Sequence, residues 1–403
     1  MKPRTPQAPA LFPLLLTAAA VAAPSLSAQA TAITVTLAAI LAPAGAAAQA
    51  TAVDVTVVDK EHGAPVSGVW LTLLPVSEAD ESTEPAYRPP PASRGISNHL
   101  GQARLPASVP GTYVVRAERI GLRTAVSAPL ELEEGERAVL RLELPPEVIS
   151  LGAIDVEATG RPCVLRPEEG ARTASLWGEA RKALDLLEFT QEEGIYRYLV
   201  LTRESVLDPV DLRTRDEAWD AAWYEGAVPF DSQPAEDLAR NGFIQTTDDG
   251  TFFYAPDASV LLSDPFLDAH CFQVLPGHPD EPGLIGLGFE PVPTHPAPAL
   301  DGALWLDSAT AELRFAEFRY TDVPGPPDDR VRGRVEFDRL PEGTWIVRRW
   351  WIRAPAVHTS VQRGLIGRGR ESERIVGFLE TGGEVVDLLP RQGPDGDDRE
   401  DRR

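Results

Sequence analysis

The sequence predicts a mainly β protein: an N-terminal seven-stranded β-sandwich, then a second antiparallel β-rich domain carrying one amphipathic helix. Three observations predict it. Apolar and polar residues alternate with period two in many short runs, the pattern of strands with one buried face. Thirty-eight prolines and 32 glycines punctuate those runs with turns. Only Thr173 to Phe189 repeats its apolar residues at helical spacing, with Leu176, Ala180, Ala183, Leu184 and Leu187 in one stripe.

The chain opens with an export leader. Lys2 and Arg4 precede the apolar run Leu11–Ala23, and Leu26-Ser27-Ala28 has the small-residue pattern of a cleavage site. The motif then recurs: "AQATAITVT" begins at Ala28 and "AQATAVDVT" at Ala48, so cleavage after residue 28 or after residue 48 is equally well marked. Each apolar run falls short of the roughly 20 residues a membrane span needs. Removing residues 1–48 takes the formal net charge from −23 to −25. Nucleic acid and anionic membrane surfaces would repel such a chain. Export also bears on Cys163 and Cys271, the two cysteines of the chain. In an oxidising compartment a lone pair is commonly a disulfide; two buried thiols are the alternative.

Residues 51–146 read as the sandwich. Val53–Asp59 alternates, and a Gly-Ala-Pro turn leads to a strand over Val66–Val76. Ser77–Arg94 is an acidic, proline-rich insertion. Asn98 and Gly101 frame a turn, Tyr113–Glu118 is a strand, and Leu130–Pro145 has the form of a hairpin turning at Gly135. The succession "VVDKEHGAPVSGVWLTLLP", "SNHLGQARLP" and "PGTYVVRAERIGLRT" resembles carboxypeptidase regulatory-like domains. That resemblance implies a transthyretin-like sandwich and a non-catalytic accessory module.

Residues 147–172 read as a linker, 173–389 as the second β-rich domain, and 390–403 as a charged tail without apolar content. Thr173 or Ser175 is the expected cap of the helix. Gly194–Arg203 alternates, whereas Asp216–Gly226 fits helix or strand. Leu304–Val323 is a hairpin whose second arm slips phase between Phe315 and Phe318, the mark of a bulge. Val331–Arg353 is a hairpin turning at Pro341-Glu342-Gly343, and strands at Ser372–Gly383 and Glu384–Pro390 follow. The hairpin rhythm is similar to the half-barrel of lipoprotein-carrier proteins, which implies an apolar cavity for acyl chains.

No local signature of catalysis emerges. His278 and Glu281 fit H-x-x-E, but they sit among Pro276, Pro279 and Pro282, in a loop unsuited to a zinc pair. H-E-x-x-H, G-x-S-x-G and G-x-x-x-x-G-K-[ST] do not occur. Gly283–Gly288 lacks a following helix, and Asp248-Asp249 lies in a turn. The sequence therefore predicts no catalytic, cofactor-binding or metal residues and no cofactor. It predicts an exported, non-enzymatic protein, periplasmic or extracellular or associated with the outer membrane, that binds an envelope protein or ligand. A lipid- or lipoprotein-handling protein and a hydrolase with a site assembled from distant residues are the alternatives.

Overall fold

The computed structural model describes residues 50–76, 90–145, 163–225, 230, 232–248, 250–293, 297, 299–323, 329–362 and 370–391. The leader with both cleavage motifs, most of the acidic insertion, residues 146–162, His295 and the tail lie outside them. The chain is mainly β, with several antiparallel sheets.

Among the described residues eight strands, one more than expected, form the N-terminal sandwich. They are β1 (Ala52–Asp59), β2 (Trp70–Pro75), β3 (Ser93–Ile96), β4 (Gln102–Pro106), β5 (Gly111–Arg119), β6 (Leu122–Val126), β7 (Leu130–Leu132) and β8 (Arg137–Leu144). One sheet runs β4-β1-β8; the other runs β3-β2-β5-β6, with β7 also on β5. Period-two alternation sends Val53, Val55 and Val57 from one sheet, and Leu71, Leu73 and Val115 from the other, into a common core. Asn98 closes the β3–β4 turn as foreseen, its Oδ1 accepting from the backbone of Leu100 and Gln102.

The expected Leu130–Pro145 hairpin does not form. β7 pairs with β5, Tyr113 opposite Leu130, while β8 crosses to the other sheet and runs parallel to β1, Val55 opposite Leu140. The Thr51 hydroxyl holds the crossing by accepting from the Gly135 N–H at 2.9 Å. Both arms have one apolar face, and alternation fixes which face is buried but not which edge the strand joins.

The rest is built on one long helix, α1 (Ala171–Glu192), and a nine-stranded sheet. The strands are β9 (Tyr196–Leu207), β10 (Thr214–Glu225), β13 (His270–Leu275), β14 (Leu284–Pro291), β15 (Leu300–Asp307), β16 (Leu313–Tyr320), β17 (Arg332–Arg339), β18 (Trp345–Gln362) and β19 (Arg370–Pro390). β13 to β19 follow one another as an antiparallel meander, and the β9–β10 hairpin extends the sheet beyond β19. A small hairpin, β11 (Ile244–Thr247) with β12 (Gly250–Phe253), stands apart. The ambiguous Asp216–Gly226 stretch is therefore strand, as far as Glu225.

Among the described residues three short helices join α1, where one helix was expected: α2 (Ala235–Asn241), α3 (Ala258–Leu262) and α4 (Asp264–Ala269). Asp257 caps α3 and Ser263 caps α4, but five or six residues are too few to show a period. α1 starts two residues before Thr173, with Gly170 at its N-cap, and the Thr173 hydroxyl bonds back to the Gly170 carbonyl at 3.0 Å. Among the described residues, no helix is long and apolar enough to cross a membrane.

The phase slip in β16 is a bulge. Trp305 pairs with Phe315 and Leu306 with Leu313, so Arg314 is the extra residue. Leu313, Ala316, Phe318 and Tyr320 then face the helical core, while Phe315 joins Trp305 and Ala303 on the opposite face. The two strands expected after Ser372 are one 21-residue strand. Gly382 and Gly383 do not break it: they make room for the backbone and indole of Trp350 on β18.

The sandwich meets the nine-stranded sheet where Gly68 touches Gly343, the last residue of the β17–β18 turn. Both have positive φ, +66° and +100°, and a Cβ on either would overlap the other. Gly343→Ala is expected to destabilise the protein by about 1–3 kcal/mol, through strain and overlap, without touching either core. Urea denaturation monitored by circular dichroism checks this; an unchanged midpoint would contradict the packing.

Candidate functional site

A recess lies between the sandwich and α1. Alternation in β2 and β5 makes one wall: Leu71, Leu73, Val115 and Ala117 go into the sandwich core, so Trp70, Thr72, Leu74, Arg116 and Glu118 turn outward. The other wall is α1, which presents Ala174, Trp177, Gly178, Arg181, Asp185 and Glu188. The cleft has a volume of about 420 Å³. Small side chains at Ala174 and Gly178 keep it open; a Cβ at Gly178 would meet nothing within 4 Å.

The expected single apolar stripe understates how far α1 is buried. Leu176, Trp177, Ala180, Leu184, Leu186 and Leu187 are all buried, and so is Glu179. Glu179 lies 2.6 Å from Lys182 and also accepts the Gly121 N–H at 2.8 Å. The Lys182 ammonium donates in turn to the carbonyls of Leu122, at 2.9 Å, and Arg119, at 3.3 Å. A buried ion pair with its spare donors and acceptors satisfied by backbone fixes one turn of the sandwich to the helix. Phe189 adds an edge contact with Trp70, ring centroids 4.5 Å apart. The sequence showed Glu179 and Lys182 only as charges beside an apolar stripe; opposite charges one turn apart were the legible trace of their pairing.

The four cations around the cleft have carboxylate partners. Lys182 has Glu179; Arg116 has Glu118 at 2.6 Å, Arg181 has Asp185 at 3.6 Å and Arg94 has Glu192 at 3.3 Å. Glu168 accepts the Trp177 indole N–H at 2.6 Å. Glu188 has no hydrogen-bond or ion-pair partner among the described residues. Burial, reinforced by Glu192 and Asp185 and opposed by the nearby Arg94, raises its carboxyl above the ordinary glutamate value. Burial also raises Asp185, against the pull of Arg181.

A larger, more open cleft of about 760 Å³ lies on the sheet face turned away from α1 and contains His278, Glu281, Glu317, Trp305 and Arg334. His278 Nδ1 accepts the backbone N–H groups of Asp280 and Glu281 at 3.2 and 3.1 Å. Its proton therefore sits on Nε2, which donates to Glu317 at 3.1 Å. The Glu281 carboxylate pairs with Arg334 at 2.7 Å. The two residues of the H-x-x-E pattern thus close a loop and do not converge as ligands. Among the described residues no group of three or more His, Cys, Asp or Glu could hold a metal ion. Both ring nitrogens of buried His270 face backbone carbonyls, Phe266 at 2.7 Å and Leu300 at 3.1 Å.

Cys163 and Cys271 form a disulfide, Cα atoms 5.3 Å apart. With the Val164–Phe272 bridge it ties the chain ahead of α1 to β13 at the edge of the sheet. The space that the alternative half-barrel reading would need for a cavity is occupied: α1 packs on β13 to β16 and β18. A recess beside α2 and α4, lined by Leu238, Phe243 and Phe266, holds only about 10 Å³.

No family model and no curated protein matches the chain. Solved structures align with it at low similarity. The group B streptococcus pilus 2b backbone protein is 12% identical over 24% of this chain, with a TM-score of 0.19; the match spans 42% of that protein's length. A DUF3823 family protein from Bacteroides uniformis is 13% identical, with 62% of this chain and 92% of that one aligned and a TM-score of 0.18. A DUF1329 family protein from Desulfovibrio piger is 11% identical over 53% of this chain and 93% of its own, with a TM-score of 0.22.

Two outcomes follow from the geometry. A carboxyl with a raised folded-state pKa holds its proton more tightly in the folded chain. Its burial therefore costs nothing below the ordinary glutamate value and lowers stability as pH rises from there through the folded-state value. Glu188→Gln should melt above the wild type at pH 7–8, with the gap closing below about pH 4; thermal unfolding across pH measures it, and a lower melting point at neutral pH would contradict it. The Cys163→Ser/Cys271→Ser variant opens a loop of sequence separation 108 and should lose about 2–5 kcal/mol in urea denaturation.

Proposed function

We propose that this chain is an exported, non-enzymatic envelope protein with a binding or structural role, and that residues 51–146 are its docking or spacer module. The observation that carries the reading is how the helical face of the large sheet is filled. α1 occupies the place an acyl-chain cavity would need, which disfavours lipid handling, and the space left between the two β-layers is polar and charge-lined. The ring nitrogens of His270 and His278 are taken by structural partners, which supports binding over hydrolysis. The two-sheet build of residues 52–144 supports the regulatory-like reading of that stretch, in which the module is an accessory unit. The disulfide and the leader motifs support a periplasmic or extracellular location, at or near the outer membrane.

Mass spectrometry of the protein purified from cell envelopes without reductant tests this. The expected mature chain starts at Gln29 or Gln49, has no alkylatable thiol and carries its partner or ligand. An intact leader on a cytosolic protein with two free thiols would refute it.

A further inference from the structure

Arginine and carboxylate alternate across the outer face of the large sheet except in one row. There Arg319 on β16, Arg332 on β17 and Arg353 on β18 stand directly opposite one another. Like charges in directly opposed positions repel. The two flanking guanidiniums are each held by a carboxylate on the next strand, Arg319 by Asp301 and Arg353 by Glu380, both at 2.6 Å. Arg332 has no such neighbour. Among the described residues its ion-pair contact is with Glu317 alone, at 3.9 Å, and Glu317 already accepts from His278. The buried Nε of Arg332 has no hydrogen-bond partner. We infer that this row is the anion seat of the larger cleft, which binds an organic ligand through a carboxylate or phosphate group placed on Arg332. The inference rests on the binding reading above and supplies the chemical class of the ligand.

The attraction is local, because the lining of the cleft as a whole holds more carboxylates than arginines. Those carboxylates are committed elsewhere: Glu281 and Glu336 to Arg334, and Asp301 to Arg319. Asp280 is exposed on the His278 loop. An oxyanion on Arg332 relieves the repulsion within the row and can accept two parallel N–H bonds from one guanidinium. A cation entering at the same point meets three like charges. Trp351 stands beside the row, its ring centroid 6.0 Å from the guanidinium carbon of Arg332, and offers an apolar wall to the body of the ligand. A cleft of about 760 Å³ suits a small organic molecule and far exceeds a bare ion.

Isothermal titration of the full mature chain with benzoate, phenyl phosphate and benzyl alcohol, in roughly 0.15 M sodium chloride, tests the assignment. Saturable binding of at least one of the two anions is expected, and none of the neutral alcohol. Binding of benzoate alone assigns a carboxylate, of phenyl phosphate alone a phosphate, and of both their shared oxyanion chemistry. Arg332→Gln should weaken binding by about tenfold or more, the worth of one charge-assisted hydrogen bond. Arg240→Gln, which removes an exposed guanidinium on α2, should bind as the wild type does. Without ligand, Arg332→Gln should melt no lower than the wild type, since it removes a repulsion; a lowered melting point would make Arg332 a structural residue and overturn the proposal. Binding of neither anion, equally tight binding of benzyl alcohol, wild-type binding by Arg332→Gln, or equal weakening in Arg240→Gln would overturn it as well. These outcomes leave the envelope reading standing, because the N-terminus and thiol state of the purified chain decide that.

Discussion

Helix α1 lies against the five-stranded sheet on one side and the nine-stranded sheet on the other, and each layer depends on it. The large sheet covers Leu184, Leu187 and their neighbours. The sandwich is held by the Glu179–Lys182 pair, which bonds to three backbone groups of the β5–β6 turn. Removing one member would leave a buried charge without its counterion, whereas the intact arrangement has its polar atoms satisfied. The cleft lies beside this anchoring: the sandwich is fixed at its β5–β6 turn and at Phe189, and the small residues Ala174 and Gly178, just before the first anchor on α1, leave space against it.

The opposite face of the large sheet solves a different problem. A nine-stranded sheet covered on one side must present a solvated surface on the other, and here arginines and glutamates alternate across the strands. Arg203 on β9 and Arg353 on β18 both bind Glu380 on β19, at 2.5 and 2.6 Å. Arg334 pairs with Glu281 and Glu336, and Arg349 with Glu384. Cross-strand pairs of this kind are the unit of stabilisation on a sheet surface. They keep that face balanced in charge in a chain of net charge −23. The His278–Glu317 contact belongs to the same fabric, and His278 acts as a loop closure.

Strands were legible wherever one face is buried and the other solvated. Val53–Asp59, Tyr113–Glu118 and Val331–Phe337 show the period directly, and the bulge at Arg314 shows as its interruption. The pairing of β8 with β1 was not legible, because neither strand's composition names its neighbour. Gly382-Gly383 read as a boundary, since the indole that needs their missing side chains lies on another strand. The short helices and the buried face of Glu179 escaped for the same reason: the groups that define them come from distant parts of the chain.

The sequence by itself determined the β-rich class, the boundaries of most strands, the one long helix and the candidacy of Cys163 with Cys271, because each rests on local periodicity or on a count. Only the tertiary structure decided that α1 fills the sheet it packs on and that Glu188 is left without a partner in a cleft. Those depend on which surfaces meet, and a surface acquires its neighbours only when residues far apart in the chain are brought together by burial.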